Sequence, residues 1–261
     1  MHNFEFVKPT TLADAVKALS VEGAQALSGG QTLLPTMKQR LAAPETLVSL
    51  TAIPEMNGVC QGDGGITIGG ATSHADVARD AAKYYPGLAA LAGQIGDPAV
   101  RNRGTIGGSL ANNDPSACYP SAVLASGATV QPNLREIAAD DYFQGMFATA
   151  LEEGEIITAV KFPVPERAAY VKFAQPASRF ALVGVFVAKF ADGVRVAVTG
   201  ASNNGVFRWA EAEAALSANF SAAALTGLSV SSEDMIADLH GSAEYRAHLV
   251  GVMTKRAVNA A

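Results

Sequence analysis

Metal-ligating side chains are scarce in this sequence. Among 261 residues there are two cysteines, Cys60 and Cys118, and four scattered histidines, His2, His74, His240 and His248. Two thiols make neither an iron–sulfur cluster site nor a zinc knuckle, and no HExxH-like spacing occurs, so no protein-ligated metal is expected. Nothing about the pair points to an oxidising compartment. Basic charge is also short: 19 lysines and arginines against 24 aspartates and glutamates leave a net charge of −5. That balance disfavours a nucleic-acid or anionic-membrane surface. No apolar run reaches the roughly eighteen residues of a spanning helix; the longest, 181–188, stops at Lys189. The opening MHNFEFVKP lacks the basic-then-apolar order of a signal peptide, and cytoplasmic residence is the default expectation. Paired carboxylates, an activated nucleophile, a P-loop and a GxGxxG signature are all missing.

What is present is a large apolar fraction, 49%, with only 16% charged residues, enough for a substantial core. Against that background two glycine turns stand out. One is Ser28-Gly29-Gly30-Gln31-Thr32; the other lies in 94–120 and contains Gly96, Gly104, Gly107 and Gly108. Glycine allows left-handed backbone and close approach of another group. Successive N–H groups in such a turn form a concave anion site without lysine. Each turn alone reads as an ordinary chain reversal; as a pair they suit the two sides of one pyrophosphate.

The pattern along the chain begins β-α-β-α-β over 1–52. A strand at 4–7 is followed by a helix opened by Thr10 and Thr11, with Leu12, Val16 and Leu19 on one face. A strand at 24–27 leads to a helix carrying Leu33, Leu34, Met37 and Leu41, then a strand at 47–50. A hairpin region over 53–65 and a strand at 66–69 precede helices through 74–83 and from Pro86. Strands are expected at 123–130, 134–137 and 156–162. Pro163 and Pro165 mark a linker, giving a domain 1–162 (1–52 and 53–162 as subdomains) and a domain 163–261. The latter reads as three antiparallel strands, at 170–174, 180–190 and 194–199, followed by helices at 210–216, 232–239 and 243–258. Together these make an α+β protein.

The two turns, as SGGQTLLP from Ser28 and GDPAVRNRGTIGG from Gly96, together with Gly205-Val206-Phe207-Arg208 and Glu244-Tyr245-Arg246, carry a resemblance. The chain resembles the FAD-binding medium subunits of molybdenum hydroxylases over essentially its whole length. The likeness is nearer the aerobic carbon monoxide dehydrogenase type than the xanthine dehydrogenase type. The resemblance implies a two-part FAD-binding domain of the vanillyl-alcohol-oxidase (PCMH) type and a small C-terminal domain. It implies that Ser28, Gly29, Gly30, Gln31 and Thr32, with Thr105, Ile106, Gly107, Gly108 and Ser109, lie at the FAD pyrophosphate. By the same resemblance Asn112 and Asp114 face the adenosine half and Ile95 packs on the flavin side. Ile156 and Ile157 lend backbone to the ring, and Lys172 stands near its pyrimidine edge.

Two positions depart from the family pattern. Cys118 stands where an aspartate usually meets ribose hydroxyls, a change expected to cost about 1–3 kcal/mol of FAD binding. Arg179 stands where many relatives are acidic. Arg101 and Arg103 read as solvated residues, with partner contacts as the alternative. The implied function is an FAD-dependent oxidoreductase subunit with a large molybdenum-cofactor partner and a small [2Fe–2S] partner, feeding a quinone, NAD or another acceptor. The rival readings are a self-sufficient flavin oxidase and a flavin-free assembly scaffold.

Overall fold

The computed structural model describes residues 1–62 and 64–261. The first unit holds β1 (Glu5–Val7), α1 (Leu12–Leu19), β2 (Ala24–Leu27), α2 (Leu33–Lys38) and β3 (Thr46–Ser49). Its strands run parallel in the order β1-β3-β2. Thr11 caps α1 reciprocally with Asp14: its hydroxyl accepts from the Asp14 N–H and donates to the Asp14 carboxylate. α2 is shorter than the apolar spacing suggests. Arg40 turns left-handed (φ 61°), and Leu41 is left exposed instead of joining the helix face.

The second unit follows with β4 (Val59–Gly62), β5 (Gly65–Gly69), α3 (His74–Asp80), α4 (Pro86–Gly93), α5 (Pro98–Arg101), α6 (Ile106–Asn112) and α7 (Tyr119–Ser126). Then come β6 (Thr129–Pro132), β7 (Ile137–Ala138), α8 (Ala139–Tyr142), β8 (Phe143–Gly145), β9 (Ala148–Thr149) and β10 (Ile157–Pro163). β4 and β5 form the antiparallel pair expected around 53–65; position 63 of that turn lies outside the described residues. The five-stranded sheet runs β4-β5-β10-β6-β7.

Two expectations fail here. Residues 123–126 belong to α7, and only Thr129–Pro132 is a strand. All eight residues of α7 are buried, so its apolar run has no period to separate helix from strand. Pro120 in its first turn and left-handed Gly127 after it mark a helix. The strand expected at 134–137 shrinks to Ile137–Ala138.

The last unit contains β11 (Arg167–Ala174), β12 (Ala181–Phe190), β13 (Gly193–Thr199), β14 (Phe207–Arg208), α9 (Ala210–Ala218) and α10 (Ala243–Ala260). Its antiparallel sheet has four strands, not three, because β14 adds to β13. No helix forms at 232–239. The Ile236 N–H is taken by the Ala201 carbonyl at 2.8 Å, and Asn203 donates to the Met235 carbonyl at 3.1 Å. Tertiary pairing with 201–203 thus overrides local helix preference.

One face of this sheet packs under α10 on Val183, Val185, Val196 and Met253. The other face joins the core of the second unit, where Tyr85 meets Phe186 edge-on at 6.1 Å and Phe162 at 6.3 Å. Residues on both sides of position 163 thus share one core, while the core under α10 lies wholly after it.

Candidate cofactor site

A cavity of about 650 Å³ is lined by all three units. The glycine turns meet on its wall although 77 residues separate them in sequence: the Thr105 hydroxyl donates to the Ser28 hydroxyl at 2.8 Å. Thr105 also caps α6, accepting the Gly108 N–H at 3.2 Å. Gly29 lies flat against the chain at Arg103 and Gly104. A Cβ there would run into the Arg103 carbonyl oxygen and sit 2.5 Å from the Gly104 Cα.

The two turns differ in what they offer an anion. The N–H groups of Gly29, Gly30, Gln31 and Thr32 meet no acceptor among the described residues. Left-handed Gly30 (φ +69°) curves them into a concave row. In the second turn four N–H groups are already engaged, Ile106 to the Thr72 carbonyl, Gly107 to that of Gly70, Gly108 to the Thr105 hydroxyl and Ser109 to the Thr105 carbonyl, and only the Thr105 N–H meets no acceptor among the described residues. That turn contributes the Ser109 hydroxyl and a surface without side chains. Gly107 faces away from the cavity's needs; its missing Cβ makes room for the Gly70 carbonyl, 2.6 Å from where the Cβ would be.

At the other end Lys172 projects from β11. Its ammonium donates to the Gln94 carbonyl at 2.8 Å, the Arg179 carbonyl at 2.6 Å and the Cys118 sulfur at 3.6 Å. Cys118 and Lys172 therefore address the same end of the cavity. Arg101 spans the Ile95 and Gly96 carbonyls at 3.1 and 3.0 Å, which makes it a brace for the loop that presents Ile95. The Ile156 N–H is taken by Asn133 at 2.8 Å, so of this pair only the Ile156 carbonyl and Ile157 remain to face a ligand. Asn112 and Asp114 line the wall, with Asp114 accepting the Ser116 N–H at 2.8 Å.

The sequence matches the model of the FAD-binding domain in molybdopterin dehydrogenases over residues 2–165. The chain belongs to this family. The flavoprotein is 34% identical to the carbon monoxide dehydrogenase medium chain of Afipia carboxidovorans, over 99% of this chain and 96% of that one. It is likewise 34% identical to the nicotine 6-hydroxylase medium subunit of Paenarthrobacter nicotinovorans, over 97% and 95%. Among solved structures, quinoline 2-oxidoreductase from Pseudomonas putida 86 superposes with a TM-score of 0.90 at 27% identity, covering 100% of this chain and 97% of that one. The reconstituted carbon monoxide dehydrogenase from Oligotropha carboxidovorans gives 0.89 at 31%, covering 99% and 97%. FAD is the cofactor, and the protein is an oxidoreductase subunit of the molybdenum hydroxylase class. No helix among the described residues is long and apolar enough to cross a membrane.

The cavity of the flavoprotein suits a dinucleotide diphosphate. Four successive N–H groups without an acceptor among the described residues belong to its lining, Thr32 and Ser109 line it as well, and neither turn contains a carboxylate. Several lining residues escaped sequence reasoning, among them Phe180, Glu155 and His74. Phe180 lines the cavity beside Arg179 and is 48% exposed. Glu155 lines the cavity with its carboxylate tied to Arg135 at 2.8 Å. His74 is buried against Tyr119, ring centroids 5.3 Å apart, with Nδ1 unpartnered. A lone histidine after a helix cap carries no sequence signal for this role.

Burial first, and the nearby Arg101 charge second, lower the His74 pKa from 6.5 to about 4. Between those values the unfolded chain binds a proton that the folded chain refuses, so stability rises with pH across that window. Its contribution is fully present above 6.5 and fades as pH falls towards 4. The full effect is roughly 3 kcal/mol. Urea melts of the wild type should lose stability from pH 6.5 to 4, and His74→Asn should flatten that slope; parallel slopes would refute it.

Proposed function

We propose that this chain is the electron-transfer flavoprotein of a molybdenum hydroxylase complex. In this reading it takes electrons from [2Fe–2S] clusters on a small partner and passes them to a diffusible acceptor. Substrate oxidation belongs to a large molybdenum-cofactor partner. The observation that carries the reading is the junction of the two glycine turns on one cavity wall through Thr105 and Ser28.

FAD, when bound, supplies a store for two electrons that accepts them singly, which suits it to stand between one-electron clusters and a two-electron acceptor. The residues of this chain do the rest. The N–H row of Gly29, Gly30, Gln31 and Thr32 holds the pyrophosphate, with the Thr32 and Ser109 hydroxyls beside it. Each such charge-assisted bond is worth roughly 1.5–3 kcal/mol. Asn112 and Asp114 face the adenosine half, while Ile95, Ile157 and Phe180 wall the ring and exclude water. Lys172 holds a positive charge at the ring end, fixed by the Gln94 and Arg179 carbonyls. Cys118, beneath that ammonium, leaves it without a carboxylate partner. Glu155, which lines the cavity, is tied to Arg135.

The test is a mixing experiment. The FAD-loaded chain is combined anaerobically with its reduced [2Fe–2S] partner, and the yellow flavin absorbance is followed. The reading predicts bleaching that requires the partner. Flavin that stays oxidised would defeat it.

A further inference from the structure

Part of the FAD cavity's wall is a stretch with little regular structure, between β9 and β10. Leu151, Glu155 and Ile156 line the cavity there, and Ile157 continues it as the first residue of β10. The turn between β6 and β7 grips this stretch at three places. Asn133 Oδ1 accepts the Ile156 N–H at 2.8 Å. Arg135 holds the Glu155 carboxylate with two prongs, Nε at 2.8 Å and Nη2 at 2.9 Å. Its Nη2 also donates to the Ala150 carbonyl at 2.6 Å. Resting on the electron-transfer reading above, we propose that Asn133 and Arg135 are positioning residues for FAD: through Ile156 and Glu155 they hold Ile157 against the flavin ring.

Register argues first. Ile156 and Ile157 are adjacent in sequence yet enter different cores. Ile156 packs with Ala15, Val48 and Leu50 of the first unit, whereas Ile157 belongs to the core of the second. A slip of one residue would exchange them. The sheet does little to prevent that at this end. Ile157 pairs with Pro132, which has no N–H to give, and the β10–β6 register shifts between Ile157 and Ala159. Asn133 and Arg135, just past Pro132, supply from their side chains the bonds that the ladder lacks.

Charge argues next. The Glu155 side chain is 1% exposed, against 39% for Arg135. Its carboxylate also accepts the Glu152 N–H at 2.7 Å. The other titratable groups facing the pair are the Glu152 carboxylate, 3.4 Å from Arg135, and Tyr142. The hydrogen bonds from Arg135 hold the Glu155 carboxyl below its usual range, so it is charged at neutral pH. A covered carboxylate that loses its cation must reach water. The backbone that moves with it carries Ile156 and Ile157. The two glycine turns make no hydrogen bond to Asn133, Arg135 or Glu155 among the described residues, so the clamp acts on the ring end and leaves the diphosphate grip alone.

The test separates the two halves of the ligand. ADP carries the adenosine and the diphosphate without the flavin ring. The full-length chain is titrated calorimetrically with FAD and with ADP, as wild type and as Arg135→Met, Arg135→Lys and Asn133→Ala. Arg135→Met should weaken FAD about tenfold and leave ADP affinity as in wild type. At saturating FAD the same variant should also change the visible circular dichroism of the bound flavin. Lysine, with one charged donor in place of a fork, should restore part of the FAD affinity. Asn133→Ala, which removes a single acceptor, should show the same split between FAD and ADP to a smaller degree and covers the case in which Arg135→Met does not fold. Equal weakening of FAD and ADP would make the clamp a general support and overturn the proposal. Unchanged FAD affinity in both Arg135→Met and Asn133→Ala would overturn it too, while leaving the electron-transfer reading intact. Wild-type chain that binds neither FAD nor ADP would defeat that reading and the proposal together.

Discussion

Gly29→Ala is expected to weaken FAD binding sharply. The Cβ it adds points at the Arg103 carbonyl and at the Gly104 Cα, both backbone, so no side-chain rotation relieves the overlap. Overpacking of this kind costs about 1–3 kcal/mol even where neighbours can yield. Here the group that must move is the N–H row itself, because Gly29 opens it. The expected result is FAD affinity lowered by about tenfold to a hundredfold or more, read by fluorescence titration. Gly251→Ala is the control. Gly251 lies in α10 with nothing within 4 Å of its absent Cβ, so alanine there should leave FAD binding alone and raise stability by up to about 1 kcal/mol. Equal FAD affinity in Gly29→Ala and wild type would remove the close backbone approach from the account.

Arg246→Met is expected to have the largest effect on stability. The Arg246 side chain is 3% exposed and joins three segments that no other group connects in this way: the Leu182 and Gly200 carbonyls and the Asp238 carboxylate. Methionine keeps much of the volume and removes every donor. Two buried carbonyls then lose their donor, at about 1–3 kcal/mol each, while the exposed Asp238 carboxylate is rehydrated. For a chain of this length the melting temperature should fall by on the order of 10 °C. A fall of only a degree or two in a thermal melt would show that water satisfies these groups and that α10 is anchored by its apolar face alone.

The parts of the fold with strong local signals were legible in the sequence. Thr11 opens the first helix as its sequence suggests, and in the structure it caps that helix together with Asp14. The β-α-β-α-β alternation of 1–52 was legible and the structure has it, whereas the β1-β3-β2 order is set only in the folded sheet. Where an apolar run was buried on all sides, as in α7, periodicity had nothing to report. At 232–239 the helical pattern was real but weaker than the bonds offered by 201–203, which are distant in sequence.

The candidate site divides in the same way. Glycine clustering marked both turns, yet only the folded chain brings Thr105 to Ser28. The unequal roles of the turns were hidden because the carbonyls that consume the second turn's N–H groups come from Gly70 and Thr72. Lys172 and Cys118 were each singled out, but their contact depends on β11 lying beside α7's first residues. His74 and Phe180 carry no local signature at all; burial and cavity position define them.

The central claim is that a diphosphate linking two nucleoside-like halves is held at the N–H row of the first turn. Calorimetric titration of the full-length chain with FAD and with FMN, which lacks the second phosphate and the adenosine, tests it most directly. The account predicts FMN binding at least about a hundredfold weaker than FAD. Equal affinity for the two would place the grip at the ring end and contradict it.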